Sequence, residues 1–314
     1  MAQVPRVVIT AASFCRNHVL CREASQAFAG HELVFHPLDP KVDPAVVADA
    51  LNGFDAAIVG REKIHREVLA KPHPPRVIVK YGVGMDNVDP AVSPAIRIIE
   101  TPGINAFSVA EHTLGLALAL THNMVICDRL LREGKWWKDG GTSLSGKTVA
   151  VIGVGHVGSR VAGLFRAFDC LVTGVDLRDK SEFLRTIGAR QEDLLPAIGS
   201  ADIVTLHVPL TTLTSKMVDR HFLARMRPGS FLLNTSRGEV IVEADLLEAL
   251  NSGRLAGAGL DVFEVEPAEN KELIRHPAVL CTPHTAGNSV EAVLAMGRAS
   301  IAGLQNALKA NRKS

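Results

Sequence analysis

A charge excess, paired cysteines and a long apolar run are all missing from this sequence, and each absence removes a class of function. Formal net charge is +1. With no basic or acidic surplus, nothing argues for nucleic acid, a membrane surface or a polyanionic partner. The five cysteines, Cys15, Cys21, Cys127, Cys170 and Cys281, are odd in number and include no CxxC pair. They fit reduced thiols in a cytoplasmic protein rather than a disulfide or zinc framework, and no metal is expected. The stretch "HELVFH" at 31–36 has one residue too many for an HExxH zinc helix and reads as strand. The longest apolar run, "LGLALAL" at 114–120, is far too short to span a bilayer. "MAQVPRVVIT" has no charged leader ahead of a long apolar core, so no secretory signal is expected.

What is present is enough chain for two cores. The 314 residues, 47% hydrophobic and 21% charged, suit a globular protein of two domains. Short β-branched runs at 6–10, 32–36, 55–60, 76–82 and 96–100 are separated by helix-like stretches. That alternation predicts parallel strands with crossover helices. Two helix starts carry Asp followed by Pro, at Asp43 and Pro44 and at Asp89 and Pro90. A long helical stretch begins near Ser108, and core packing accounts for its apolar stripe. Strand and helix then alternate again from "TVAVIGVG", predicting a second, doubly wound sheet of about six parallel strands. The C-terminal "SVEAVLAMGRASIAGLQNALKA" reads as one amphipathic helix with Val290, Val293, Leu294, Met296 and Ile301 on its apolar face.

Two features of the second half carry chemistry. "VIGVGHVGSRV" places Gly153, Gly155 and Gly158 in a G-x-G-x-x-G turn between a strand and a helix whose apolar positions are Val157, Val161, Leu164 and Phe168. In that context the first glycine permits the tight turn, the second lets the backbone approach a pyrophosphate, and the third lets the helix pack on the strand. Amides at the helix start, including His156 and Val157, can face phosphates. Asp176 ends the next strand, where a carboxylate accepts from ribose hydroxyls and repels a 2′-phosphate, favouring NAD; Arg178 partly offsets that repulsion. Beyond these, Arg237 in "NTSRGEVI", Glu266 in "DVFEVEP" and His284 in "TPHTAG" fall at the carboxyl ends of successive strands. Taken singly they read as a solvent-facing arginine, a turn acid and a loop histidine. Together, on the edge where doubly wound sheets bind ligands, they form a candidate site.

At this point the sequence resembles the D-isomer-specific 2-hydroxyacid dehydrogenases, a family that includes phosphoglycerate dehydrogenases. The resemblance covers nearly the whole chain and rests on "YGVGMDNVD", "TPGINAFSVAEHTLGLALAL", "VIGVGHVG", "HVPLT", "NTSRGEVI", "GAGLDVFEVEP" and "TPHTAG". It implies a flavodoxin-like substrate domain, 1–103 plus 288–314, with a Rossmann NAD-binding domain, 104–287, inserted within it. It also implies a homodimer held largely through the nucleotide domains, with the long helix from Ser108 taking part.

By the same resemblance Arg237 holds the substrate carboxylate and C2 oxygen, His284 exchanges the hydroxyl proton, and Glu266 orients His284. His207, Val208, Pro209, Thr235, Ser236, Asp261 and Gly287 join the glycine turn and Asp176 around NAD. Gly82, Val83 and Gly84 cradle the substrate carboxylate. Met85 replaces an aromatic residue of many relatives, implying a different pocket shape. Arg61, Lys63 and Lys80 are expected to face the cleft, where Arg61 and Lys80 could hold a second anionic group; 3-phosphoglycerate is then the leading substrate, with glyoxylate, hydroxypyruvate or another 2-oxo acid as the alternative. A formate dehydrogenase of this fold would call for glutamine where Glu266 stands, and an NAD-sensing corepressor-like protein would not need all three polar residues.

Overall fold

The computed structural model describes residues 4–89 and 96–311. The chain divides into two compact units, 1–105 with 290–314, and 106–289. The first holds β1 (Arg6–Ala11), β2 (Glu32–Leu38), β3 (Ala56–Val59), β4 (Val77–Lys80) and β5 (Arg97–Ile99). All pair in parallel in the order β2-β1-β3-β4-β5, the flavodoxin-like arrangement. "HELVFH" indeed lies at β2. Asp43 caps the helix Pro44–Leu51 by accepting from Ala45 N, as the Asp-Pro signal predicts. The helix expected from Pro90 onward lies outside the described residues.

Helices cover both faces of this sheet, which is why its strands are almost wholly apolar. Val7, Ile9, Ile58 and Val79 pack on one face with Leu20 and with Met296, Ile301 and Leu304 of the last helix, Val290–Asn311. Val8, Ala57, Val59 and Ile78 pack on the other with Val47 and Leu51. Met85 packs partly against this second cluster. Val290 opens the last helix but is 71% exposed, so the buried stripe starts later than the periodicity suggests.

The second unit holds β6 (Thr148–Ile152), β7 (Leu171–Val175), β8 (Arg190–Gln191), β9 (Ile203–Leu206), β10 (Ser230–Asn234), β11 (Leu255–Leu260) and β12 (Val279–Cys281). The sheet has seven strands rather than six, in the order β12-β11-β10-β9-β6-β7-β8 and parallel throughout. The extra strand, β8, is two residues long and polar, so it left no hydrophobic run to read. Strand order reverses at β6, where β7 and β9 flank it, and that is the switch point at which ligands bind.

Two helices depart from expectation. The stretch from Ser108 is not one helix but two, Ala106–Thr121 and Met124–Arg132, bent by 58°. Asn123 between them adopts φ 54°, a left-handed conformation that asparagine tolerates and that no α-helix continues through. Among the described residues no single helix is long and apolar enough to cross a membrane. In the helix after the glycine turn, His156–Ala167, the buried side chains are Val161, Ala162 and Phe165, while Phe168 lies past its end and is 40% exposed.

Candidate active site

The glycine turn closes the carboxyl end of β6, and each glycine has its own reason. Gly153 has φ +91°, and a Cβ there would come within 2.5 Å of His207 O; a Cβ on Gly158 would lie 1.8 Å from Gly153 O. Turn and helix therefore pack backbone to backbone. Gly155 differs, since a Cβ there would meet nothing within 4 Å. Its bareness serves no internal packing and leaves room at the start of the helix His156–Ala167, the space a pyrophosphate occupies in such turns. Asp176, just past β7, is tied to this turn: Val154 N donates to Oδ2 at 2.8 Å and Arg178 N to Oδ1 at 2.9 Å. The carboxylate is thus aimed before any ligand arrives. Its remaining lone pairs can accept from ribose hydroxyls, so the donor set fits a dinucleotide.

His207 follows β9 across the switch point. Its Nε2 lies 2.9 Å from Thr205 Oγ1, and its Nδ1 is sealed from solvent without a partner among the described residues. Burial pushes its pKa down to about 3, so the ring is neutral. Part of the residue reaches the surface, but Nδ1 does not, and Nε2 is engaged by Thr205. Val208 is half-buried and Pro209 exposed.

Arg237 lies three residues past the end of β10, in a turn built by its neighbours. Asn234, fully buried, accepts from Ser236 N and Ser236 Oγ and donates through Nδ2 to Arg237 O at 2.8 Å. A Cβ on Gly238 would fall 1.9 Å from the carbonyl of Phe263, so the turn after β10 presses against the loop after β11 that leads to Glu266. The half-buried Arg237 guanidinium donates to Ser236 O at 2.7 Å. The hydroxyls of Thr235 and Ser236 are committed inward, the first 2.8 Å from Thr113 Oγ1 and the second to Asn234.

Glu266 and His284 meet directly. Both carboxylate oxygens approach His284 Nδ1, at 2.9 and 2.8 Å. A carboxylate only accepts, so Nδ1 carries a proton and Nε2 is the nitrogen left to face a reactant. His284 sits at φ 53°. Its turn is held by Asp261, 1% exposed, whose main-chain oxygen accepts from His284 N while its carboxylate accepts from Thr282 Oγ1, Thr285 N and Ala286 N. Asp261 thus holds the loop from within. Gly287 is half-buried at the far end of the same turn.

In the first unit, Gly82 has φ +114°, a conformation that favours glycine, and directly follows the β4 edge. Val83 and Gly84 are half-buried beside it. The three cations do not share one surface. Arg61 and Lys63 are exposed on either side of buried Glu62, whereas Lys80 is 3% exposed and donates to Tyr81 O at 3.2 Å. Position explains the split: Lys80 ends β4, which is buried along its whole length because both faces of the sheet are covered, whereas Arg61 and Lys63 lie in the loop after β3.

Sequence reasoning missed Asn234 and Gly238, which aim the arginine, and Ser108, His112 and Thr282, which brace the histidine turn. Ser108 and His112 were detectable as polar residues four apart in an apolar helix, one above the other on a single face.

Comparison with known proteins places this geometry in context. Residues 114–286 match the family model described as "D-isomer specific 2-hydroxyacid dehydrogenase, NAD binding domain". Bacillus subtilis D-3-phosphoglycerate dehydrogenase is 36% identical over 251 residues, 78% of this chain but 48% of that protein, so the chain spans about half the length of this relative. Thermococcus litoralis glyoxylate reductase is 34% identical over 267 residues, 81% of each chain. A solved structure from Polaromonas sp. JS6 66 superposes with a TM-score of 0.87 at 26% identity, covering 98% of both chains.

Proposed function

The chain belongs to the D-isomer specific 2-hydroxyacid dehydrogenase family, and on that premise we propose that it is an NAD-dependent oxidoreductase interconverting a small D-2-hydroxy acid and its 2-oxo acid. The observation that carries the reading is the Glu266–His284 pair, on the same sheet edge as the glycine turn and Asp176. NAD, when bound, supplies the hydride chemistry. The chain's own residues bind, orient and move the proton. Arg237 contacts the substrate carboxylate and C2 oxygen with its planar fork. His284 Nε2 gives a proton to the C2 oxygen in reduction and takes it back in oxidation. Glu266 fixes the orientation of the ring and its Nδ1–H tautomer. Gly82, Val83 and Gly84 offer backbone groups to the carboxylate. The complete Arg237, Glu266 and His284 set favours an enzyme over an NAD-sensing binding protein.

For the substrate, similarity to D-3-phosphoglycerate dehydrogenase supports 3-phosphoglycerate as the leading candidate, with Arg61 and Lys80 receiving the distal phosphate. A specific observation favours glyoxylate or hydroxypyruvate as the second reading: Lys80 is buried, and the glyoxylate reductase matches this chain over equal shares of both lengths. The test compares 3-phosphohydroxypyruvate, hydroxypyruvate and glyoxylate with NADH, in the parent and in Arg61→Ala and Lys80→Ala. A phosphate-dependent gain in kcat/KM that both substitutions abolish supports the first reading; no gain, or one that survives, supports the second. Absence of turnover with any 2-oxo acid removes the enzymatic reading.

We further propose a cytoplasmic homodimer. Met124, Val125 and Leu131 are exposed on the helix Met124–Arg132, and Trp136 beyond it is 80% exposed, an apolar surface suited to a second copy. Sedimentation equilibrium at micromolar concentration reads this, a monomer being the contrary result.

A further inference from the structure

His284 occupies the left-handed region, a conformation that is unfavourable for a non-glycine residue and persists only where the surroundings enforce it. The enforcement comes from Asp261. Its main-chain oxygen takes His284 N at 2.7 Å, Oδ1 takes Thr282 Oγ1 at 2.6 Å and Thr285 N at 2.8 Å, and Oδ2 takes Ala286 N at 2.9 Å. The carboxylate is buried, yet no lysine or arginine pairs with it among the described residues. The group of opposite charge potential nearest to it is His112, whose Nε2 lies 3.6 Å from Oδ1 and 2.9 Å from Thr282 Oγ1.

The proton count fixes the direction of this chain. A threonine hydroxyl has one hydrogen, and a carboxylate offers none, so Thr282 must donate to Asp261. The hydroxyl can then only accept from His112, which must carry its proton on Nε2. The bonds run His112 Nε2–H to Thr282 O–H to Asp261, each polarising the next. Ser108, one helical turn before His112, takes the other end of the same segment by donating to Ala286 O at 2.6 Å and accepting from Ser289 N at 3.4 Å. One face of the helix Ala106–Thr121 therefore clamps the turn that carries His284 at both ends.

We propose that His112 is a positioning residue for His284, acting through Thr282 and Asp261. This rests on the oxidoreductase reading above for its kinetic readout but not for its structural one. Without the Nε2 donor the Thr282 hydroxyl can rotate away from Asp261, the carboxylate loses a fixed contact, and the imidazole drifts from its alignment with the reacting oxygen. Misplacement of that kind costs on the order of tenfold to a hundredfold in kcat.

The experiment uses His112→Phe, which removes the donor while keeping a ring; His112→Gln, which returns an N–H at similar reach; Thr282→Val; and the His112→Phe/Thr282→Val double variant. In NADH-linked reduction of a 2-oxo acid, His112→Phe and Thr282→Val should each lower kcat about tenfold with KM for NADH within about twofold. His112→Gln should recover most of the rate. The double variant should be no worse than either single, as members of one chain are not additive. In parallel, the His284 ring resonances should move alike in His112→Phe and Thr282→Val and stay at the parent position in His112→Gln. Full-rate His112→Phe, equal losses in the Phe and Gln variants, or additive losses overturn the proposal. If the parent reduces no 2-oxo acid, the enzymatic reading fails, and the resonances alone decide: unmoved His284 signals in His112→Phe overturn the relay.

Discussion

Glu266 and His284 are joined by two short contacts to a single nitrogen, Nδ1, at 2.9 and 2.8 Å. A carboxylate only accepts, so the pair fixes the proton on Nδ1 and leaves Nε2 to face a reactant. Glu266→Gln can turn its NH2 toward the ring and Glu266→Ala removes the partner, so in both the ring loses its fixed tautomer and orientation. Each should lower kcat for reduction of a 2-oxo acid about a hundredfold, with KM for NADH little changed. Steady-state kinetics with NADH and deuterated NADH measures this and establishes whether chemistry limits the rate. Parental kcat in both variants rejects the pairing.

Arg237→Lys should lose about a hundredfold or more in kcat/KM although charge is kept, because a point ammonium cannot reproduce a fork set against two oxygens. Steady-state kinetics with the preferred 2-oxo acid measures this. A variant within a few fold of the parent would return Arg237 to the role of a solvent-facing side chain.

Gly238→Ala should be disproportionately harmful for one added methyl. Its Cβ would fall 1.9 Å from the Phe263 carbonyl, and backbone cannot step aside as a flexible side chain can. Overpacking of this kind costs about 1–3 kcal/mol. Urea denaturation should show a lowered midpoint together with lost activity, since the turns leading to Arg237 and Glu266 are forced apart. A variant of parental stability and rate would contradict the close packing.

Asp176→Ala should narrow the preference for NADH over NADPH. The carboxylate is held by Val154 N and Arg178 N, so the substitution removes an acceptor for ribose hydroxyls and a repeller of phosphate at once. The rise in KM should fall mainly on NADH. Equal kcat/KM with both cofactors in the parent would sink the assignment.

His207 links stability to acid. In the fold burial holds its pKa near 3, against an ordinary 6.5. The unfolded chain gains a proton as pH drops below about 6.5 while the folded chain does not, so this contribution to stability is complete above that pH and is lost as pH falls toward about 3. His207→Gln should therefore show a smaller change in urea midpoint between about pH 7 and pH 4.5 than the parent. An equal change in both would remove His207 from the acid response.

Much of this was open to reading in the residues. Parallel sheets covered on both faces demand near-continuous apolar strands, so "TVAVI" and "FLLN" announce β6 and β10. The glycine turn and Asp176 were legible because backbone approach and ribose contact each restrict residue type at fixed spacing. Hidden features were those whose signal is not periodic. β8 is too short and polar to stand out, and the break at Asn123 lies in a stretch whose composition stays helical on both sides. Phe165 and Phe168 were equally eligible for the core by spacing, and only the end of the helix at Ala167 chose between them. The burial of Lys80 was not legible, because a charged residue ending a strand is usually exposed. The His112 relay needed three dimensions, since Thr282 and Asp261 are distant from the helix in sequence.

The contacts of Ser108 have an architectural meaning as well. Ser108 stands at the beginning of the segment 106–289 and Ser289 at its end, and the hydroxyl of one receives the amide of the other at 3.4 Å. A segment whose two ends are stitched together can be set into a host chain as a cassette, because it demands no stretching of the flanks and leaves the host's strand order undisturbed. Residues 106–289, with their ends joined by a short glycine-containing linker, should accordingly accept new termini in an exposed loop such as Thr211–Thr214 and still fold as a circular permutant.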